Sequence, residues 1–138
     1  SEEAIAAKVR EKLGMVELPG VEDVMPSELS GGMRKRVALA RSISMDPSCI
    51  LYDEPTTGLD PVTAGTINDL IRSMQARLRV TSVVVTHDIG SAFFVGDRVA
   101  FLFEGRMDFV GTIDEARNAS TPTLRTFLSG GREGRRGA

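Results

Sequence analysis

Three short stretches of this chain carry side chains suited to phosphate chemistry. The first is Cys49-Ile50-Leu51-Tyr52, an apolar run that ends in Asp53-Glu54-Pro55. A buried strand ending in two acids sets both carboxylates at the strand's C-terminal tip, where open α/β sheets bind ligands. In phosphoryl transfer, a strand-end aspartate holds Mg²⁺, usually through water, and a neighbouring group positions the attacking water. Asp53 suits the metal role and Glu54 the general base. The second stretch is Leu29-Ser30-Gly31-Gly32 before a helical run. Two glycines let backbone N–H groups approach an anion, the helix N-terminus favours negative charge, and Ser30 adds a hydroxyl. The third is His87, the single histidine, which follows a β-branched run. A neutral imidazole there can donate to a phosphate oxygen and orient a water.

Each signal has an ordinary structural reading when taken alone. Asp-Glu after four apolar residues is also how many strands meet a loop. Ser-Gly-Gly is also a capped helix start, and a lone histidine at a strand end is more often structural.

The elements that must position these residues follow from periodicity. Ile5, Val9 and Leu13 share one helical face over residues 4–13, and Gly14 is the expected stop. A loop with Pro19, Gly20 and Pro26 leads to the Ser-Gly-Gly run. A second helix begins at Met33 and ends at Asp46-Pro47, since the residue before proline avoids the helical region. The run 49–52 is expected as a buried parallel strand, 62–78 as a helix with Ile67, Leu70, Ile71, Met74 and Leu78 along one side, and 81–86 as a second strand. A short helix over 89–95, strands over 99–103 and 107–110 around Glu104-Gly105-Arg106, and helical pieces over 113–118 and 122–128 complete the pattern. Alternating strands and helices indicate an α/β layered fold. The expected division is a helical segment over 1–45, an α/β core over 46–112, C-terminal helices over 113–129, and a disordered tail over 130–138.

Composition narrows the classes. A chain of 138 residues is at most one domain, and its 41% hydrophobic and 26% charged residues are those of a soluble globular protein. No run approaches the roughly 18 apolar residues that cross a bilayer, and the acidic start Ser1-Glu2-Glu3 does not read as a signal peptide. One cysteine, Cys49, precludes an intrachain disulfide and fits a reducing compartment, so a cytoplasmic location is expected. A net charge of -2 gives no general attraction to nucleic acid or anionic lipid. Arg132, Arg135 and Arg136 read as a solvated end.

Order and spacing carry more than any single piece. LSGGMRKRVALARSI, then CILYDEPTTGLDP, then VVVTHD resembles the ABC ATPase family over nearly the whole chain. The resemblance implies the C-terminal part of a P-loop NTPase fold with a parallel core sheet and an α-helical signature segment. It implies ATP and Mg²⁺ as cofactors, a homodimer of ATPase subunits, and a transmembrane permease as partner. The subunit would touch the membrane only through that permease. Leu29, Ser30, Gly31 and Gly32 would be the signature loop, reaching the ATP held by the opposite subunit. Asp53 would serve the metal, Glu54 would be the base, Asp60 would communicate across the dimer, and His87 would sense the γ-phosphate. Met33 departs from the family's commoner Gln. MPSELSGGMRKRVALARSI and TPTLRTFLSG further resemble the ATPases of lipid importers of the Mla type, and less closely those of amino-acid importers.

The phosphate loop G-x-x-x-x-G-K-[ST] is missing from these residues, because Lys8, Lys12 and Lys35 precede Val9, Leu13 and Arg36. Either the chain is a piece of a longer ATPase, or it is a short protein supplying the signature half of a composite site. The first is expected, since in the family Glu54 and His87 act on a nucleotide bound by their own subunit. The 138 residues alone are then expected to be inactive. Two other readings are a soluble ABC protein of DNA repair or translation, and a non-enzymatic ABC remnant.

Overall fold

A computed structural model describes residues 1–118 and 121–130 of the chain, which folds as two compact units meeting in sequence at Thr86 and His87. The arginines of the expected tail lie outside the described residues.

The first unit opens with helix α1, Glu2–Met15, capped by Ser1, whose Oγ accepts from the Ala4 amide. Glutamates in its first turn complement the helix dipole. Gly14 does not stop it. The chain turns at Glu17, which adopts a left-handed φ of 57°, so that Leu18 N–H donates to Leu13 O (3.0 Å) and Glu17 N–H to Gly14 O (3.2 Å). This pair of bonds is a Schellman end, and the buried Leu13 and Leu18 are its apolar clasp. The stripe Ile5, Val9, Leu13 is buried only at its last member; Ile5 and Val9 are exposed. What anchors α1 is its C-terminal end, where the buried Lys12 donates to Asp46 at 2.7 Å and the exposed Lys8 does the same from one turn earlier.

A 3-10 turn at Pro26–Glu28, not foreseen from the sequence, leads into helix α2, Gly31–Ser42. Strand β1, Cys49–Asp53, follows, then helix α3, Pro61–Leu78, and strand β2, Thr81–Val85. Ile67, Leu70, Ile71 and Met74 recur at helical spacing and all are buried, which fixes the inward face of α3. Strands β1 and β2 pair in parallel, with Cys49 opposite Thr81 and Asp53 opposite Val85. Together β1, α3 and β2 form a βαβ unit.

Burial in this sheet is one-sided. Ile50 and Tyr52 point into the core, whereas Cys49, Leu51 and Asp53 alternate onto an open face shared with Thr81, Val83 and Val85. Leu51 is 76% exposed. The expectation of a buried strand is therefore met on one face only, although parallel sheets usually carry a layer on both.

The second unit contains helix α4, Ile89–Val95, strands β3, Arg98–Phe103, and β4, Arg106–Thr112, and helices α5, Ile113–Arg117, and α6, Pro122–Leu128. Strands β3 and β4 form an antiparallel hairpin whose tip, Glu104-Gly105, has positive φ at both residues, as a tight two-residue turn of matching twist requires. Phe101 packs on Phe127 of α6 with ring centroids 5.1 Å apart. Thr112 and Glu115 form a reciprocal capping box at the start of α5. Among the described residues no helix is long and apolar enough to cross a membrane.

Candidate functional site

Ser30 caps α2: its Oγ accepts from the Met33 amide at 3.2 Å, and its backbone is extended. That leaves Gly31 and Gly32 in the first helical turn, where N–H groups point out of the helix end. Leu29 is buried, and its carbonyl accepts from the Arg34 guanidinium, so the loop is pinned on the core side and open on the other. Gly32 has a second constraint. A Cβ there would lie 2.7 Å from Cγ2 of Thr63, in the first turn of α3.

Asp60 organises that turn. Its Oδ1 accepts from the amides of Val62 and Thr63, both at 3.0 Å, and its Oδ2 accepts from the Thr63 hydroxyl at 2.5 Å. Pro61 occupies the first helical position, where its missing N–H costs nothing. The Thr63 hydroxyl, then the Thr63 amide, hold the Asp60 carboxyl below the usual carboxylate range.

The acidic tip is the most constrained part. Asp53 ends β1 on the open face. Glu54 follows in the left-handed region with φ of 45°, a conformation that costs a non-glycine residue roughly 1–3 kcal/mol unless its surroundings enforce it. They do. Its N–H donates to Val85 O at 2.8 Å, extending the parallel ladder by one bond. Its carbonyl accepts from the Thr57 amide and from Lys35 Nζ, each at 3.3 Å. Its Oε2 accepts from the hydroxyls of Thr57 (2.9 Å) and Thr86 (3.5 Å).

The Leu29–Gly32 loop, the acidic tip and Asp60 thus belong to one unit, joined by the Lys35–Glu54 bond and the Gly32–Thr63 approach. His87 opens the second unit, just ahead of Asp88, whose Oδ1 caps α4 by accepting from the Ser91 amide at 2.5 Å. Sequence reasoning missed Lys35, Thr57, Thr63 and Thr86 as supporting residues. Thr57 was within reach of inspection, since it stands three residues past Glu54 at the close of a turn. Lys35 is separated from Glu54 by 19 positions, and no spacing rule connects them.

A cleft of about 320 Å³ lies between α2 and the end of β1, lined by Lys35, Leu39, Arg41, Ser42, Tyr52 and Asp53. Among the described residues no group of three or more His, Cys, Asp or Glu side chains could cage a metal. A single strand-end carboxylate is nevertheless the donor set Mg²⁺ takes when phosphates and water complete its shell, so Asp53 fits that ion.

The model of the family described as ABC transporter matches residues 1–57. The probable ribonucleotide transport ATP-binding protein mkl of Mycobacterium tuberculosis is 42% identical over 126 residues, 91% of this chain and 35% of its own length. The intermembrane phospholipid transport system ATP-binding protein MlaF of Escherichia coli is 40% identical over 119 residues, 86% of this chain and 44% of its own.

Along nearly all of its own length the chain is similar to ATP-binding subunits of ABC transporters.

A third ABC relative, the sulfate/thiosulfate import ATP-binding protein CysA of Halalkalibacterium halodurans, is 40% identical over 93% of this chain and 36% of its own length. Among solved structures, the ABC cassette MJ0796, a dimer bound to ADP and Pi, aligns at a TM-score of 0.71 and 37% identity, covering 82% of this chain and 49% of that one. The ABC cassette MJ1267 in its ADP conformation aligns at 0.81 and 25% identity, covering 94% of this chain and 52% of that one. The chain therefore spans about half of the solved cassettes it matches, and less than half of these curated relatives.

Proposed function

We propose that these residues form the signature- and base-bearing part of the ATP-hydrolysing subunit of an ABC transporter. The observation that carries the reading is the turn at Glu54. A carboxylate is held at a strand tip in a strained backbone conformation, directly after Asp53, and two threonine hydroxyls fix its direction. That is the preorganisation expected of a group that must accept a proton from a positioned water.

In this reading Glu54 takes the proton of the attacking water, and Asp53 would hold Mg²⁺. The ion, when bound, offsets the charge that develops on the phosphoryl oxygens. His87 donates to the γ-phosphate. Leu29, Ser30, Gly31 and Gly32 present amide and hydroxyl donors to the ATP of a second subunit, and Asp60 stations the first turn of α3 beside that loop. Two subunits work as a homodimer on a transmembrane permease, at the cytoplasmic side of the membrane, with coupling through residues 4–28. The segments 1–45, 46–112 and 113–129 serve as signature segment, core and C-terminal helices.

The transported substrate we infer is a lipid. The support is the likeness to MlaF, named for phospholipid transport, together with the texture around the signature loop. Relatives named for ribonucleotide and sulfate transport have similar identity, so the lipid assignment is the finer part of the proposal.

The test is Glu54→Gln in a full-length ATPase carrying this segment. ATP binding should persist, turnover should fall by about 10²–10⁴, and the ATP-bound dimer should accumulate. Hydrolysis at the original rate would remove Glu54 from the base role. The 138-residue chain alone should show no turnover.

A further inference from the structure

The backbone of Glu54 is held from a direction that the mechanism does not use. Its carbonyl has two lone pairs. One takes the Thr57 amide, which closes the local turn; the other takes Lys35 Nζ at 3.3 Å. Thr57 and Thr86 lie on the turn itself and on the residue after β2, and Val85 lies on the paired strand. Lys35 alone among these partners comes from α2, the helix whose first turn contains Gly31 and Gly32. It stands five residues past Ser30, somewhat more than one helical turn, and α2 is rigid over that distance. A shift or rotation of α2 relative to β1 therefore acts on the carbonyl of Glu54 through this bond.

We infer that Lys35 is a positioning residue for Glu54, holding the left-handed turn in place and linking the attitude of the signature helix to the aim of the carboxylate. This rests on the reading of Glu54 as the base. The physical reason is that a positive φ at a glutamate persists only when over-determined. A cationic donor on a carbonyl is a stronger tether than a neutral one, because charge-assisted hydrogen bonds are about twice as strong. The neighbouring cleft leaves the ammonium partly solvated, so the tether is not offset by the desolvation a fully buried charge would incur. An occupied signature loop would steady α2 and with it the turn; a displaced α2 would let Glu54 relax toward extended backbone and swing its carboxylate away.

The experiment has two arms. In the 138-residue chain, amide exchange is followed at Glu54 and Thr57, with the β1–β2 ladder amides as the internal control for folding. Lys35→Met should speed exchange at the two turn amides by about tenfold and leave the ladder unchanged, and Lys35→Arg should restore the slow rate. Lys35→Gln, which keeps a donor without the charge, should fall between. Turn amides that exchange equally in all four proteins would overturn the assignment. So would ladder and turn amides that speed up together, since that marks a general loss of packing. In the second arm, a full-length ATPase with Lys35→Met should lose about tenfold in kcat with KM for ATP unchanged, and Lys35→Arg should recover it. An unchanged kcat also overturns the inference. If Glu54→Gln in that ATPase keeps full activity while the exchange result stands, the base reading has failed and the tether has not.

Discussion

Gly32 and Thr63 approach so closely that a single methyl group on the first would have to displace the Cγ2 of the second. A Cβ built on Gly32 falls 2.7 Å from that carbon. Gly32 therefore has a packing reason beside any role toward phosphate: it lets the start of α2 lie against the start of α3. Gly32→Ala should destabilise the chain by about 1–3 kcal/mol, the usual cost of an overpacked contact. Thr63→Ser removes the offending methyl and keeps the hydroxyl that bonds Asp60, so the double substitution should recover most of the loss. Urea denaturation of the four proteins closes the cycle; additive losses would mean that the two residues do not press on one another.

The ion-pair cluster beneath α1 makes stability depend on acid. Lys12 first, then Lys8, hold the Asp46 carboxyl down to about 2 from an ordinary 3.8. A carboxylate with a depressed folded pKa contributes stability that is complete above its unfolded value and disappears as pH falls through the folded one. Asp46→Asn should thus lower the melting temperature at pH 7 and make no difference below about pH 2, with the two curves converging between those limits. Thermal melts at stepped pH measure this. A constant gap across the range would assign the loss to the backbone of residue 46, which itself has a positive φ of 49°.

Thr57 and Thr86 both direct hydroxyls at Oε2 of Glu54, at 2.9 and 3.5 Å. Thr57→Val in a full-length ATPase should lower kcat by about tenfold with little change in KM, while Thr57→Ser retains the rate. The longer Thr86 contact should matter less. A larger effect at Thr86 than at Thr57 would reverse this order and place the aim of the carboxylate with β2.

The core of the first unit rests on the inner face of α3. Ile67 and Met74 are fully buried there, two helical turns apart. Met74→Ala should cost about 2–5 kcal/mol, as for other large core truncations, whereas Val62→Ala, at an 81% exposed position near the start of the same helix, should be nearly neutral. Chemical denaturation distinguishes them directly.

Much of this was legible from residue order. The helical stripe Ile67, Leu70, Ile71, Met74 gave α3 to within a residue, because a long amphipathic period leaves little choice. The structure adds Pro61 to its start, because Asp60 caps the helix and the fixed proline φ suits its first position. The stop of α1 was not legible: Gly14 has the residue type, but burial of Val16 and Leu18 carries the helix past it and turns the chain at Glu17. Nor was the one-sided burial of β1, since an apolar run reads the same whether one face or both are covered. Of the candidate site, the residues proposed to carry chemistry were picked out by type and order. Their supports were not, because Lys35–Glu54 and Gly32–Thr63 are contacts between segments, made only after the chain has folded back.

The alternation along β1 has a practical outcome. The protein's single thiol, Cys49, shares the open side of the sheet with Leu51 and Asp53. A maleimide dye attached there needs no engineered cysteine and sits among hydrocarbon side chains now wetted by solvent. Its emission would shift as soon as another polypeptide dried that surface, turning the strand that ends at Asp53 into a built-in gauge of assembly.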